Sequence, residues 1–173
     1  MAAIIWTVGH SNVPAEVFIG TLTEAGIRQL VDVRRFPASR RNPQFKRERL
    51  SAALEQVGIR YGHMPALGGR RTAAPDSPNT ALRDPGFRGF ADYMATPEFD
   101  AALSDLIEVA ARAPTAIMCA EAVPWRCHRS LIADALVARG VDVRHLVGGR
   151  AKPHELSPAA RVEGDSVTYP ALV

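Results

Sequence analysis

TAIMCAEAVPWRCHRSLIADALVARGVDVRHLV, residues Thr115 to Val147, decides the fold. TAIMCAE (115–121) is an apolar run of strand length. HRSLIADALVARG (128–140) reads as a helix closed by Gly140, and VDVRHLV (141–147) returns to strand. A strand, a helix and a strand in close succession form a crossover unit, whose strands pair in parallel. The same alternation runs outward to the N-terminus. IIWTVG (4–9) is apolar and β-branched, and a polar turn follows at His10, Ser11 and Asn12. Pro14 opens AEVFIGTLTEAG, which Gly26 ends. QLVDVR (29–34) is a short buried strand, followed by the irregular basic loop RFPASRRNPQF. An amphipathic helix then runs from about Lys46 to Val57, stopped by Gly58, and IRYGHM (59–64) is a third strand.

Residues 65–86 hold Pro65, Pro75, Pro78, Pro85 and a Gly-Gly pair and read as a long loop, of the kind that is functional or mobile. A helix containing FRGFADYM follows. Thr96-Pro97 resembles an N-cap with proline in the first turn, ahead of apolar residues at Phe99, Leu103, Leu106, Ile107 and Ala110. The order predicts an α/β fold: a single three-layer domain, residues 1–149, with a mostly parallel central sheet of about five strands and right-handed crossovers. Residues 150–173 read as a tail, with SVTYP either an edge strand or irregular.

The 173 residues carry 21 Lys+Arg and 18 Asp+Glu, a net charge of +3. The excess is local. Arg34 to Arg49 holds seven basic residues and Glu48, for +6, and the rest of the chain is at −3. A general polycation of the histone type is excluded, and the segment needs an anion to face. Only Lys46 and Lys152 are lysines; arginine suits bidentate phosphate or carboxylate binding. No apolar run approaches the ~18 residues of a transmembrane helix, so no membrane partner is expected. The start, MAAIIWTVGHSN, lacks the basic segment of an export signal. Two cysteines make no disulfide framework, and the expected compartment is the reduced cytoplasm.

In open parallel sheets, ligands bind beyond the carboxyl ends of strands. That rule selects Gly9–Asn12, Asp32–Arg35 and Cys119–Glu121. CAEAVPWRCHR (119–129) is the richest segment. A cysteine at a helix start, flanked by Arg126, His128 and Arg129, is expected to have a lowered thiol pKa, which makes Cys127 the first candidate nucleophile and Cys119 the second. The alternative is that both are inert packing residues. Phosphatases and sulfur transferases place Arg after Cys and five residues; here six separate Cys119 from Arg126, so that cradle is disfavoured. The spacing of Cys119 and Cys127 is also long for structural zinc, and no metal ligands and no cofactor are assigned. His10 is the candidate general acid or base, although Ser11 or Asn12 can instead cap the helix behind Pro14. Asp32 and Glu121 are candidates to orient these groups or to form ion pairs. Ser11, Arg34, Ser39, Arg40, His128 and Arg129, with the backbone at Gly68 and Gly69, are the candidate anion and substrate binders.

GHSN, DVRRFPASRRNPQF, LGGRR, FRGFADYM and CAEAVPWRCHRSLIADAL together resemble the family called domain of unknown function 488, from about Ile4 to about Leu146. The resemblance implies a compact cytoplasmic α/β domain of bacteria or archaea. Its motif residues fall here on Gly9, His10, Ser11, Asp32, Arg34, Ser39, Pro43, Phe45, Tyr61, Leu67, Gly68, Gly69, Cys119, Glu121, Cys127, His128 and Arg129. The family name carries no reaction, so the resemblance adds no mechanism. Three functions follow from the residues. The first is an enzyme acting on an anionic, phosphate- or nucleotide-like small molecule at the carboxyl edge of the sheet, a transferase or hydrolase working through a cysteine nucleophile. The second is a nucleic-acid-binding module using residues 34–49, where arginines interleave with Phe36 and Phe45. The third is a Cys/His metal-binding protein.

Overall fold

A computed structural model describes residues 3–171. Six strands form one sheet: β1 (Ile4–Gly9), β2 (Gln29–Asp32), β3 (Arg60–His63), β4 (Thr115–Cys119), β5 (Asp142–Val147) and β6 (Arg150–Pro153), in the order β3-β2-β4-β1-β5-β6. The first five are parallel, and β6 runs antiparallel to β5. Five helices cover the two faces: α1 (Ala15–Glu24), α2 (Arg47–Gln56), α3 (Pro85–Tyr93), α4 (Pro97–Arg112) and α5 (Arg129–Ala138). The α/β sandwich with a mostly parallel sheet is thus the fold of the chain.

β4 is buried along its whole length because it has a strand on each side and helices on both faces. Its alternate side chains feed two cores. Ala116 and Met118 join Phe18, Leu22, Leu50 and Leu54 of α1 and α2. Ile117 and Cys119 join Phe90, Phe99, Leu103, Leu106, Leu131 and Ile132 of α3, α4 and α5. α4 begins as its sequence dictates: Thr96 accepts a hydrogen bond from the Phe99 N–H, with Pro97 next in line. α1 does not. Pro14 is its N-cap and there is no side-chain cap; Ser11 instead bonds Asn12, at φ 49°. The capping role weighed for Ser11 and Asn12 is therefore not taken up.

The chain leaves β1 toward the α1–α2 face and leaves β4 toward the α5 face. Neighbouring strands whose crossovers part in this way open a crevice at their carboxyl ends, and register places Gly9 beside Cys119 there.

Residues 150–171 continue the fold. Gly148 and Gly149 both have positive φ, 58° and 77°, and Val147 pairs with Arg150 across them. That is a two-residue hairpin of the type whose twist matches the strands. The edge strand is therefore Arg150–Pro153. SVTYP contributes Ser166–Thr168 to a separate two-stranded ribbon with Arg161–Glu163. Asp134 of α5 fastens this segment. It accepts from His154 Nε2 at 2.7 Å, the Ser157 N–H at 3.1 Å and the fully buried Tyr169 hydroxyl at 2.7 Å. Among the described residues, no helix is long and apolar enough to cross a membrane.

Candidate active site at the strand ends

A cleft of about 500 Å³ opens at this crevice. Its floor is the end of β4 and the start of the loop behind it, Cys119, Ala120 and Glu121, with His10, Cys127 and His128 beside them. The floor is tight because Gly9 admits no side chain: a Cβ there would meet the Glu121 carbonyl oxygen at 1.6 Å and Arg129 Nη1 at 2.8 Å.

One wall is built on Asp32. This carboxylate is fully buried and occupied on every side. Oδ1 accepts from the Arg34 N–H at 3.0 Å and Arg34 Nε at 2.9 Å; Oδ2 accepts from Arg34 Nη2 at 2.7 Å and from the Tyr61 hydroxyl. Arg34 Nη2 also donates to the Phe45 carbonyl at 2.8 Å. Asp32 thus positions Arg34 and has no lone pair to spare for a substrate proton. His10 stacks on Phe45 at 4.4 Å and donates from Nδ1 to the Ser11 carbonyl at 2.7 Å. Its Nε2 then carries the lone pair, 3.4 Å from Arg34 Nη1. Burial first, and the Arg34 charge after it, lower the His10 pKa. Both effects favour the neutral ring, whose Nε2 accepts from Arg34 Nη1.

The opposite wall holds the thiols. Cys127 Sγ lies 2.7 Å from Cys119 Sγ as the donor, and both cysteines are free and buried. Burial opposes ionisation of Cys119, but the Cys127 hydrogen bond and the Arg129 charge outweigh it and set this thiol below its ordinary value. Cys127 goes the other way. Its hydrogen bond to Cys119, then burial, push it well up. The expected lowering at Cys127 is therefore reversed. The helix-start amide reaches it only weakly, with the Arg129 N–H at 3.5 Å, while the neighbouring sulfur holds its proton. His128 donates from Nε2 to the Leu67 carbonyl at 3.0 Å, which leaves Nδ1 as an acceptor 3.5 Å from Cys127 Sγ. Burial lowers its pKa to about 4.

Arg129 lies behind the thiols and is completely buried. Nη2 donates to the Ala122 carbonyl at 3.2 Å, while Nε and Nη1 have no hydrogen-bond partner. Among the described residues no carboxylate forms a salt bridge with it.

Of the residues singled out from sequence, His10, Arg34, Ser39, Gly69, Cys119, Glu121, Cys127 and His128 line the cleft. Asp32 and Arg129 act from behind it. Gly68 is packed on the Arg35 backbone, where a Cβ would come within 2.8 Å of Arg35 Cα. Ser11 and Arg40 are not in the lining. Arg40 is exposed, as are Arg41, Lys46, Arg47 and Arg49, so the basic segment divides: Arg34 is buried, Arg35 stands exposed at the cleft rim, and the other five basic residues face solvent away from the lining. Sequence reasoning expected LGGRR (67–71) to add charge to the rim, and Arg70 is there; it missed Arg126 and Phe87 in the lining and the place of Phe36 between Arg35 and Arg70. The two guanidinium carbons lie 5.7 and 5.5 Å from the exposed Phe36 ring. The Arg-Phe and Gly-Gly-Arg-Arg pairings were the available signals. Arg71 of the latter turns away to stack on Tyr93 at 3.8 Å. Among the described residues no three His, Cys, Asp or Glu side chains are grouped to hold a metal ion.

Fold and cleft define an α/β protein with a cysteine- and arginine-lined crevice at the switch point of its sheet. The chain belongs to the family described as Domain of unknown function DUF488, whose model matches residues 14–136. The match takes in Asp32, Arg34, Cys119, Cys127 and Arg129, while Gly9, His10 and Ser11 lie just ahead of it. No curated protein and no solved structure matches the chain.

Proposed function

We propose that the protein is an enzyme that binds an anionic small molecule in this cleft and attacks it with Cys119, as a transferase or hydrolase. One observation carries the reading: a fully buried, unpaired guanidinium, Arg129, acts on a thiol that lines an arginine-rimmed cleft. An uncompensated buried charge costs several kcal/mol. Folding tolerates it where it favours a second charge, and here the group it acts on is the Cys119 thiol, whose ionisation it promotes. Arg35, Arg70 and Arg126 are exposed at the rim and supply charge for a phosphate- or carboxylate-like group. A substrate proton reaching His10 would compete with Arg34 Nη1 for its Nε2.

Alkylation kinetics test this. Anionic iodoacetate is expected to modify Cys119 with saturation and faster than neutral iodoacetamide, and inorganic phosphate should protect the thiol. Arg35→Ala with Arg70→Ala should abolish both effects. Equal, unsaturable rates for the two reagents, with no protection, would overturn the reading.

A second reading, nucleic-acid binding, is favoured by the five outward basic residues Arg40, Arg41, Lys46, Arg47 and Arg49. It uses a surface separate from the cleft.

A further inference from the structure

We propose that Cys119 and Cys127 form a peroxide-reactive dithiol, in which Cys119 is oxidised and Cys127 resolves it as a disulfide. The inference rests on the preceding one only in taking Cys119 as the reactive thiol; it needs no anionic substrate.

Three observations converge. The two sulfurs lie 2.7 Å apart, so closing to the ~2.05 Å of a disulfide needs about 0.7 Å of movement. Both cysteines line the cleft, which gives a small oxidant access. Each sulfur also has the partner its role requires. Cys119 has the buried, unpaired charge of Arg129 behind it. Cys127 faces His128 Nδ1 at 3.5 Å, a nitrogen left unprotonated because Nε2 donates to the Leu67 carbonyl. Among the described residues no three His, Cys, Asp or Glu side chains are grouped here, and neither cysteine is held in a disulfide.

The chemistry balances with a hydroperoxide as oxidant. The Cys119 thiolate attacks the terminal peroxide oxygen. An S–O bond forms, the O–O bond breaks, and the departing alkoxide or hydroxide takes a proton from solvent. Cys119 is now a sulfenic acid, oxidised by two electrons, and the peroxide is reduced to alcohol or water. Cys127 then attacks the Cys119 sulfur. The S–S bond forms, the S–O bond breaks, and hydroxide leaves as water with the Cys127 proton, which His128 Nδ1 carries in passing. A low-molecular-weight thiol resets the pair by exchange, two thiols becoming one disulfide.

The test is oxidation of the full chain with equimolar hydrogen peroxide, followed by alkylation, intact mass and peptide mapping. The wild type should lose two hydrogens and yield a Cys119–Cys127 linked peptide that dithiothreitol reverses. Cys127→Ser should leave Cys119 as a sulfenic acid trapped by dimedone, with about tenfold more sulfinic acid at excess peroxide. Cys119→Ser should show neither product. Since both cysteines are buried, the wild-type peptide map stands as the independent measurement should a variant misfold. A wild type in which Cys119 takes dimedone but no linked peptide appears, or in which peroxide leaves both thiols untouched, overturns the proposal. If iodoacetate still labels Cys119 with saturation and phosphate protection, that failure belongs to the dithiol alone; loss of this labelling as well defeats both readings.

Discussion

The cleft has a buried arginine on each side, and the two are treated in opposite ways. All the donor nitrogens of Arg34 have partners: the Asp32 carboxylate takes three, Phe45 and His10 the rest. Arg129 has one carbonyl, and two of its nitrogens have nothing. A saturated pair is scaffold, because its charge is spent on its own counter-ion. An unsaturated one leaves its field to act on a neighbour, here the Cys119 thiol. The same residue type, equally buried, thus builds the wall on one side and the reactive group on the other. Burial and residue identity alone do not tell the two apart; the hydrogen-bond inventory does.

The largest effect should come from breaking the saturated side. Asp32→Ala strands Arg34 without a counter-ion and removes the Tyr61 contact, which is expected to cost roughly 3–5 kcal/mol of unfolding free energy. Urea denaturation measures it. A loss below about 1 kcal/mol, the scale of an exposed pair, would mean that Asp32 is not the keystone of this wall.

Next in size is a pH effect on the thiol side. His128 titrates near 6.5 when unfolded but near 4 when folded, because burial disfavours its cation. The unfolded chain therefore takes the proton first. Stability is full above about pH 6.5, falls as pH drops toward about 4, and levels off below it. The loss approaches about 3 kcal/mol for this residue. His145 is lowered by burial to about 4 as well and adds its own loss over the same window, so His128→Gln should make the profile shallower without flattening it, and an unchanged slope would overturn the assignment to His128.

Arg129→Met gives the sharpest contrast with Asp32→Ala. Removing an unpaired buried charge and filling its space with an apolar chain should raise stability, by about 1–4 kcal/mol. The thiol should notice more. With the cation gone, the Cys119 pKa rises, and its alkylation at neutral pH should slow about tenfold. A variant that unfolds while keeping a normal thiol would invert the comparison.

These expectations mark what the sequence could and could not express. The parallel strands were legible because buried strands are apolar runs bounded by turns, and β1 to β5 read off directly. Strand order was not: nothing local says that β4 slips between β2 and β1, and that placement brings Gly9 and its neighbour His10 to Cys119. Cys127 was misread for the same reason. The helix-start argument is local, whereas the sulfur that holds its proton sits at the end of another element. The charge cluster was legible as composition but not as direction, since the chain turns at Phe36-Pro37 and sends the later arginines outward. Gly148-Gly149, by contrast, was a hairpin signal in plain view, and it carries the chain into the edge strand beyond it.

The smallest effect on stability is expected on that outward surface. Arg40, Arg41 and Arg47 are exposed, and none of them forms a salt bridge among the described residues. Replacing all three by Ala should therefore move the unfolding free energy by no more than about 0.5 kcal/mol per site, and should leave Cys119 alkylation unchanged. The test of the second reading lies in salt dependence. If these residues meet phosphates, a gel-shift or anisotropy titration at low salt will show nucleic-acid binding that weakens steeply as salt is added. The triple variant will then lose roughly 0.9 from the slope of log K against log salt for each contact to a duplex removed. If the wild type binds no nucleic acid at low salt, the outward charge has no such role. If it binds and the variant binds equally well, Arg40, Arg41 and Arg47 make no phosphate contact, and the contacts fall to Lys46, Arg49 or the rim arginines.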